Sequence, residues 1–248
     1  MKGLLVRVGA DQSEGGGWWN APVDSMTGSF AYVPIPETKP VRQGYFKPYS
    51  LVASAVHSLG SKLPAALSSA NMHLDPDFSH LTYGDQGERA KQIRSKLDKG
   101  DLLIFYAGLR DINPASRLIY AIIGVYLIAE VVVAAGIPRT RWGENAHTRR
   151  ILASGANDIV VRAQPEISGR LQRCIPIGDF RNSAYRVTRP RSRTGDPTLC
   201  RAPAPPGVSD QATLHPNLQS LVSLELRIDP RPRRLRSPLR RECCDRWP

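Results

Sequence analysis

The stretch GDLLIFYAGLR, residues 100–110, decides the fold of this chain. A Gly-Asp turn precedes an apolar run, and the run ends in the polar side chain of Arg110. A short apolar run that is bounded by turn residues predicts a buried strand. A second apolar run follows at residues 118–133, after a loop at residues 111–117. Because consecutive strands are usually neighbours, we predict that the two runs pair antiparallel.

The second run has the length of a membrane span. Residues 118–137 are almost entirely apolar, and about twenty such residues cross a bilayer as a helix. However, Glu130 lies inside the run, Gly124 interrupts it, and many of its residues are β-branched. These features favour buried strands, so we predict no membrane association.

Four further patterns complete the predicted fold. Residues 3–8 are typical of a short buried strand, and residues 28–36 predict an edge strand that prolines end. A charged amphipathic pattern predicts a helix at residues 87–99, and a second helical spacing lies within residues 51–67. The sequence therefore predicts an α/β protein of the α+β type, with a mixed, mostly antiparallel sheet and few helices over residues 1–187.

The last quarter of the chain has a different composition. The 248 residues carry a net charge of +12, and residues 188–248 hold 12 of the 34 basic and 6 of the 22 acidic residues. The same segment holds 10 of the 21 prolines and, apart from Trp247, no aromatic residue, so it lacks the material of a packed core. We interpret residues 188–248 as a disordered or frame-shifted tail. The overall charge favours an anionic partner such as a nucleotide or DNA.

The cysteines and the N-terminal residues indicate a compartment. The four cysteines match no zinc-binding spacing and make a poor disulfide framework. The first residues lack the long apolar segment of a secretory signal. We therefore expect reduced thiols and a cytoplasmic location.

The first candidate site is the loop DQSEGGGWWN at residues 11–20, which follows the first predicted strand. Consecutive glycines allow a backbone to approach a ligand closely, and carboxylates and indoles can bind one. An alternative is a tight turn whose tryptophans cover the core, and the sequence leaves both open. The candidate residues are Asp11, Ser13, Gly15, Gly16, Gly17, Trp18, Trp19 and Asn20.

The second candidate site is the segment MHLDPDFSH at residues 72–80. His73, Asp75 and Asp77 bring imidazole and carboxylate groups together, which are the groups that acid–base chemistry and metal binding use. The alternative is a simple turn at Asp-Pro-Asp with surface histidines. We favour the turn on sequence alone, because such tripeptides commonly form turns.

The third candidate site is the basic stretch at residues 139–150. Its aromatic and basic side chains are of the kind that stack a base and contact phosphates, namely Trp142, His147 and Arg149. Arg110, at the end of the central strand, is a further candidate for phosphate. A solvated loop with Trp142 turned inward fits the sequence equally well.

Several of these motifs, in this order, resemble one known family. The motifs are the N-terminal strand with its Gly-rich loop, YVPIP at residues 32–36, HLDPD at 73–77, GDLLIFYAGLR at 100–110 and the strand at 119–132. Over residues 1–187 they resemble the third of the nucleotide modification associated domains. The resemblance implies a role in the modification of bases in DNA, with Asp11, Ser13, His73, Asp75, Asp77 and Arg110 in the site. The chain departs from the family's pattern at Gln12, at Glu14, in its paired tryptophans and after residue 186.

Three functions fit these observations. The first is an enzyme, or an enzyme subunit, that acts on a nucleotide or a DNA base through its carboxylates. The second is a non-catalytic reader in which tryptophans stack a modified base, which the similarity of the strand pattern to PUA-like domains also favours. The third is an interaction scaffold. Nucleotides, DNA and other DNA-modification proteins are the expected partners, and the sequence assigns neither a metal nor a cofactor.

Overall fold

The computed structural model describes residues 1–181 and 184–187, apart from Ser13, Glu14, Gly17, Trp18 and Ala115. The predicted tail therefore lies outside the described residues. Eight strands of the described part form one sheet: β1 (Gly3–Arg7), β2 (Pro22–Val23), β3 (Thr82–Asp85), β4 (Leu102–Asp111), β5 (Leu118–Val133), β6 (Ile159–Ala163), β7 (Gly169–Arg181) and β8 (Ala184–Val187). Its α-helices are short: α1 (Ser50–His57), α2 (Ala65–Ser68), α3 (Gly87–Lys96) and α4 (Ala146–Arg149). Single 3₁₀ turns lie at Ala134–Gly136, Arg139–Glu144 and Pro165–Ile167.

Strand β5 is the axis of the sheet. One of its edges pairs antiparallel with β4, from Leu118 opposite Arg110 to Leu127 opposite Leu102. The other edge pairs first with β7 and then with β6, both antiparallel. The predicted β4–β5 pair is thus confirmed, and the apolar run is a strand because its neighbours satisfy its backbone on both sides.

Two short strands make the sheet mixed. Strands β1 and β2 pair in parallel with the beginning and the end of β4, while the remaining pairings are antiparallel. The predicted fold class, mixed and mostly antiparallel with few helices, is confirmed. A PUA-like arrangement stays a prediction.

The core of the described residues contains a cluster of packed aromatic rings. Phe105 and Tyr126 are fully buried and meet edge to face with ring centroids 4.8 Å apart. Phe78 packs against both rings, and a Cβ atom on Gly124 would lie 2.5 Å from Phe78. Only glycine therefore fits at position 124, in the middle of β5.

Two predicted elements differ from the structure. Residues 28–36 form isolated bridges at Phe30 and Pro36 instead of a strand, because Pro34 and Pro36 have no N–H to donate. The helix within residues 51–67 is divided into α1 and α2, with Gly60 at φ +68° between them. The segment at 30–34 is nonetheless buried and leads directly into the site.

Within the described ranges, we find no helix with both the length and the apolar character that a membrane crossing requires.

Candidate functional site

Two separate stretches of sequence meet at one buried point. The segment at residues 72–77 is held by a bridge between Met72 and Pro36 and by a 2.8 Å hydrogen bond from the His73 N–H to the Ile35 carbonyl. It presents His73 and Asp75, and the Asp75–Pro76 peptide bond is cis. His147 reaches the same point from helix α4.

Asn145 fixes the start of α4. Its side-chain oxygen accepts a 2.9 Å hydrogen bond from the His147 N–H, while the Thr148 hydroxyl accepts a 3.2 Å bond from the Asn145 N–H. This reciprocal pair is a capping box with threonine in place of the usual glutamate. The direction of the His147 side chain is therefore set by a local sequence motif.

The imidazoles of His73 and His147 face the Asp75 carboxylate. Nε2 of His73 lies 3.9 Å from Oδ2 of Asp75, and Nε2 of His147 lies 3.8 Å from the same oxygen. One ligand atom from each residue lies within 4.8 Å of the others, so the three could hold a metal ion. His73 is 6% exposed, His147 is 3% exposed and Asp75 is 8% exposed. We call these three residues the His-Asp centre.

The second nitrogen of each imidazole is bound by a carboxylate. Nδ1 of His73 lies 2.7 Å from Glu37, and Nδ1 of His147 lies 2.6 Å from Asp158. Although burial raises the pKa of Glu37, hydrogen bonds from His73 and Arg150 lower it to about 2. The bond from His147 likewise lowers the pKa of Asp158 against the effect of burial. Ionised carboxylates only accept hydrogen bonds, so each Nδ1 carries a proton and each Nε2 is the ring nitrogen that faces the centre.

Asp75 is oriented by backbone and amide donors. The Gly84 N–H lies 2.9 and 3.0 Å from its two oxygens, and the Asn145 amide donates to Oδ1 at 2.9 Å. Burial nevertheless raises the pKa of Asp75 well above its usual range. A Cβ atom on Gly84 would lie 2.4 Å from the His147 ring, so β3 can approach the centre only with glycine at this position.

Burial also keeps His73 unprotonated. It lowers the pKa of His73 to about 4, and the nearby His147 and Arg150 contribute to the decrease although Glu37 opposes it. Arg150 lies on the far side of Glu37, with Nε 3.0 Å from each carboxylate oxygen. The centre is therefore a layered arrangement of imidazoles, then carboxylates, then a guanidinium group.

Asp77 and Arg149 lie next to the centre but bind each other. Both are almost fully buried, and their side chains form a direct ion pair. Arg149 also donates through Nε to the Gly143 carbonyl at 3.0 Å. His80, whose side chain is 46% exposed, lies 3.1 Å from Asp77 through Nδ1. The predicted site residues Asp77 and Arg149 thus have structural partners in the described part.

The loop at residues 11–20 lies against the segment that holds Glu37. A Cβ atom on Gly15 would lie 2.5 Å from Pro36, the neighbour of Glu37, and one on Gly16 would lie 2.6 Å from the Asp11 carbonyl oxygen. Asp11 itself is buried and binds Arg7, with Nε 3.1 Å from Oδ2. Three of the predicted loop residues, Ser13, Gly17 and Trp18, lie outside the described residues.

The remaining predicted residues are distributed around the end of β4. Asn20 is buried and donates a 2.9 Å hydrogen bond to the Gly108 carbonyl, and Trp19 packs partly buried against the core. Arg110 binds the Ser116 carbonyl at 3.3 Å in the β4–β5 loop. The structure gives none of these three a contact with the His-Asp centre.

Trp142 lies in the 3₁₀ helix Arg139–Glu144, directly before the capped helix α4 that holds His147. The Arg42 guanidinium carbon stacks 3.7 Å above the Trp142 ring, and the indole N–H donates to the Ile137 carbonyl at 3.1 Å. The Thr148 hydroxyl binds the Trp142 carbonyl at 2.8 Å, which joins this stack to α4. We call Arg42 and Trp142 the cation–aromatic stack.

Sequence reasoning missed Glu37 and Asp158, and it considered Asn145 and Arg150 only as possible contacts for phosphates and bases in the basic stretch at residues 139–150. Glu37 lies in a polar segment that reads as a surface excursion, and Asp158 precedes a strand like an ordinary turn residue. The order Asn-Ala-His-Thr at residues 145–148 carries the signal of a capped helix start and was the one local indication.

Comparisons with known proteins give one match. The family model described as nucleotide modification associated domain 3 matches residues 2–211, which extends past the limit of 187 predicted from sequence. No curated protein and no solved structure matches this chain. The match covers most of the chain, so the chain belongs to the nucleotide modification associated domain 3 family.

Proposed function

We propose that this chain acts on a nucleotide or on a base in DNA, as a component of a modification system, and that the chemistry takes place at the His-Asp centre. The observation that carries the proposal is the convergence of two imidazole Nε2 atoms and one carboxylate at a buried point. Such convergence of buried polar groups is typical of catalytic sites, and family membership supports a nucleotide or a DNA base as the substrate class.

His73, His147 and Asp75 supply the reactive groups in this proposal. An imidazole with a free Nε2 can take a proton or bind an electrophile, and a buried carboxylate can do the same. Glu37, Asp158 and Arg150 act on the substrate only through the imidazoles, since they hold the tautomer and the ring orientation. Asp77 and Arg149 stabilise the segment around the centre.

The cation–aromatic stack is the proposed contact for the substrate. Guanidinium groups and indoles both bind bases by stacking, and guanidinium also binds phosphate. Because the Thr148 hydroxyl of α4 binds the Trp142 carbonyl, and His147 precedes Thr148 in the same helix, we expect a nucleotide bound at the stack to lie beside the centre. The Gly-rich loop contributes a second wall through Gly15, which lies against Ile35 and Pro36, the residues before Glu37.

The test is the nucleoside composition of DNA, measured by mass spectrometry, in cells that carry this gene with its native neighbours. We expect a modified nucleoside that disappears with Asp75→Asn and persists with Asp98→Asn, a matched change at an exposed carboxylate. Thermal unfolding of both purified variants controls for loss of fold. An unchanged composition in cells with folded Asp75→Asn protein contradicts the proposal.

A reader of modified bases is the second candidate, and the cation–aromatic stack is the observation that favours it. In that case Trp142→Ala weakens binding to modified DNA, and the nucleoside composition stays the same with Asp75→Asn. If neither variant changes composition or binding, the scaffold interpretation is the one that remains.

A further inference from the structure

We infer that His73, Asp75 and His147 bind one divalent transition-metal ion. The inference stands on the geometry of the centre and does not depend on the proposed substrate. It starts from the way in which the two imidazoles and the Asp75 carboxylate face one another. Both Nδ1 atoms are engaged by carboxylates, and both Nε2 atoms point at Oδ2 of Asp75, at 3.9 and 3.8 Å.

These two distances are too long for hydrogen bonds. Nε2 of each imidazole and Oδ2 of Asp75, which are all metal-ligand atoms, thus face one another without a direct hydrogen bond, and a cation placed among them would contact all three. Bonds of about 2.0–2.2 Å from a shared ion to nitrogen and oxygen ligands place the ligand atoms up to about 4 Å apart. The observed separations therefore suit a common ion better than they suit direct contact.

The charges around the centre lead to the same ion. Glu37, Asp75 and Asp158 contribute three negative charges when ionised, and Arg150 contributes one positive charge. With Asp75 ionised as a metal ligand, these four groups sum to two negative charges. Buried charge without compensation is unfavourable, and one divalent cation balances it.

Two of the other cations nearby have acidic partners of their own. Arg149 is paired with Asp77, and Arg89 lies 3.7 Å from Asp85. Lys39 is exposed, binds the neutral Gln86 side chain and acts on Asp158 from the surface, where water and salt screen its charge.

The groups behind the ligands are already arranged as metal sites require. Ligand histidines in metalloproteins usually donate their other N–H to a carboxylate or a carbonyl, which fixes the tautomer and raises ligand basicity. Here both histidines do so, and the Gly84 N–H and the Asn145 amide orient Asp75. The ligand set therefore needs only small side-chain shifts to accept an ion.

The ligand types select the class of metal. Two imidazoles and one carboxylate, without thiolate, suit Fe²⁺, Mn²⁺, Co²⁺ or Zn²⁺ and disfavour Ca²⁺, Mg²⁺ and Cu⁺. Three protein ligands leave at least one position for water or substrate, which is the pattern of a catalytic rather than a structural ion.

Isothermal titration of the full-length, chelator-treated chain tests the inference. We expect one Zn²⁺, and anaerobically one Fe²⁺, per chain, and a thermal unfolding temperature that rises when the ion is added. His147→Gln removes a ligand and should weaken Zn²⁺ binding by at least about 100-fold. His80→Gln changes an exposed histidine beside Asp77 and should bind Zn²⁺ like the wild type.

Two results would overturn the inference. One is a wild-type chain that neither binds one of these ions nor gains thermal stability from it, a measurement that needs no variant. The other is a folded His147→Gln protein that binds Zn²⁺ as tightly as the His80→Gln control. Metal binding together with unchanged nucleoside composition would refute the proposed function alone, and modification by a chain that binds no metal would refute this inference alone.

Discussion

Asp75 and Asp77 are two residues apart and both buried, yet their surroundings differ completely. Asp77 faces the Arg149 guanidinium and the N–H groups of Ser79 and His80, so its charge is neutralised within the protein. Asp75 accepts hydrogen bonds from Gly84 and Asn145 but faces Nε2 of two imidazoles.

The difference separates a structural carboxylate from a functional one. A buried carboxylate with a direct cationic partner is a closed unit, and its burial stabilises the fold only while the partner is present. A buried carboxylate that opposes other lone pairs costs free energy until something binds. Proteins accept such a cost mainly at binding and catalytic sites.

The largest change in stability is expected from a substitution of Arg149, the ion-pair partner of Asp77. Arg149→Met leaves Asp77 buried without its cation, and we expect the free energy of unfolding to fall by about 3–5 kcal/mol. Urea-induced unfolding measures it. Removing both charges, in Asp77→Asn with Arg149→Met, should cost clearly less than the single change. A loss below about 1 kcal/mol for Arg149→Met would show that the pair is not the closed unit described here.

The second prediction concerns acid and the metal-free protein. His73 stays neutral in the folded chain down to about pH 4, whereas the unfolded chain takes up this proton below about pH 6.5. Stability therefore falls as the pH decreases from about 6.5 to about 4, by up to about 3 kcal/mol. Glu37, with its pKa lowered to about 2, adds a further loss below about pH 4.5.

The measurement is the free energy of unfolding of chelator-treated protein against pH. His73→Gln should lose the part of the slope between pH 6.5 and 4, while His57→Gln, on the surface of α1, should keep it. Identical slopes for wild type and His73→Gln would mean that His73 is not held neutral by burial.

The third prediction concerns the carboxylates behind the imidazoles. Glu37→Gln keeps the size of the side chain but replaces an ionised acceptor, so His73 loses its fixed tautomer. We expect Zn²⁺ affinity to fall about 10–100-fold, which corresponds to about 1.4–2.7 kcal/mol. Isothermal titration measures this affinity, with Glu130→Gln, at an exposed position of β5, as the matched control. Equal affinities for the two variants would remove Glu37 from its positioning role.

The smallest expected effect is also the one with the opposite sign. In metal-free protein, Asp75→Asn should leave stability unchanged or raise it, by about 0–2 kcal/mol. Its oxygen can still accept from Gly84, and its amide can donate to an imidazole lone pair. Unfolding in the presence of a chelator measures the change, and Asp77→Asn, which should destabilise, is the direct comparison. A clear loss of stability in Asp75→Asn would contradict the distinction between the two carboxylates.

Much of the fold follows from local patterns. The runs at residues 100–110 and 118–133 predict β4, β5 and their antiparallel pairing, because a long apolar segment with branched residues has few other stable arrangements. The charged pattern at 87–99 predicts α3 for the same kind of local reason. The segment at 28–36 has a strand-like pattern, but its prolines prevent a continuous ladder.

The candidate site could be predicted from the sequence only in part. The sequence named His73, Asp75 and His147, because imidazole and carboxylate side chains are uncommon enough to be noticed. It placed His73 and Asp75 in one candidate site and His147 in another, and it favoured a simple turn for the segment at residues 72–80. The two stretches are about seventy residues apart, and no local pattern specifies their contact.

The sequence by itself determined the strands β1, β4 and β5, the main helix and the types of side chain available for chemistry, since these depend on periodicity and composition within short windows. Only the tertiary structure decided that the Asp77 carboxylate is neutralised by a cation and that the Asp75 carboxylate is available to bind a ligand. That choice depends on long-range partners, Arg149 for Asp77 and the two imidazoles for Asp75, and on the Glu37 and Asp158 side chains behind them. Burial makes the choice consequential, because charge costs little in water and much inside a protein.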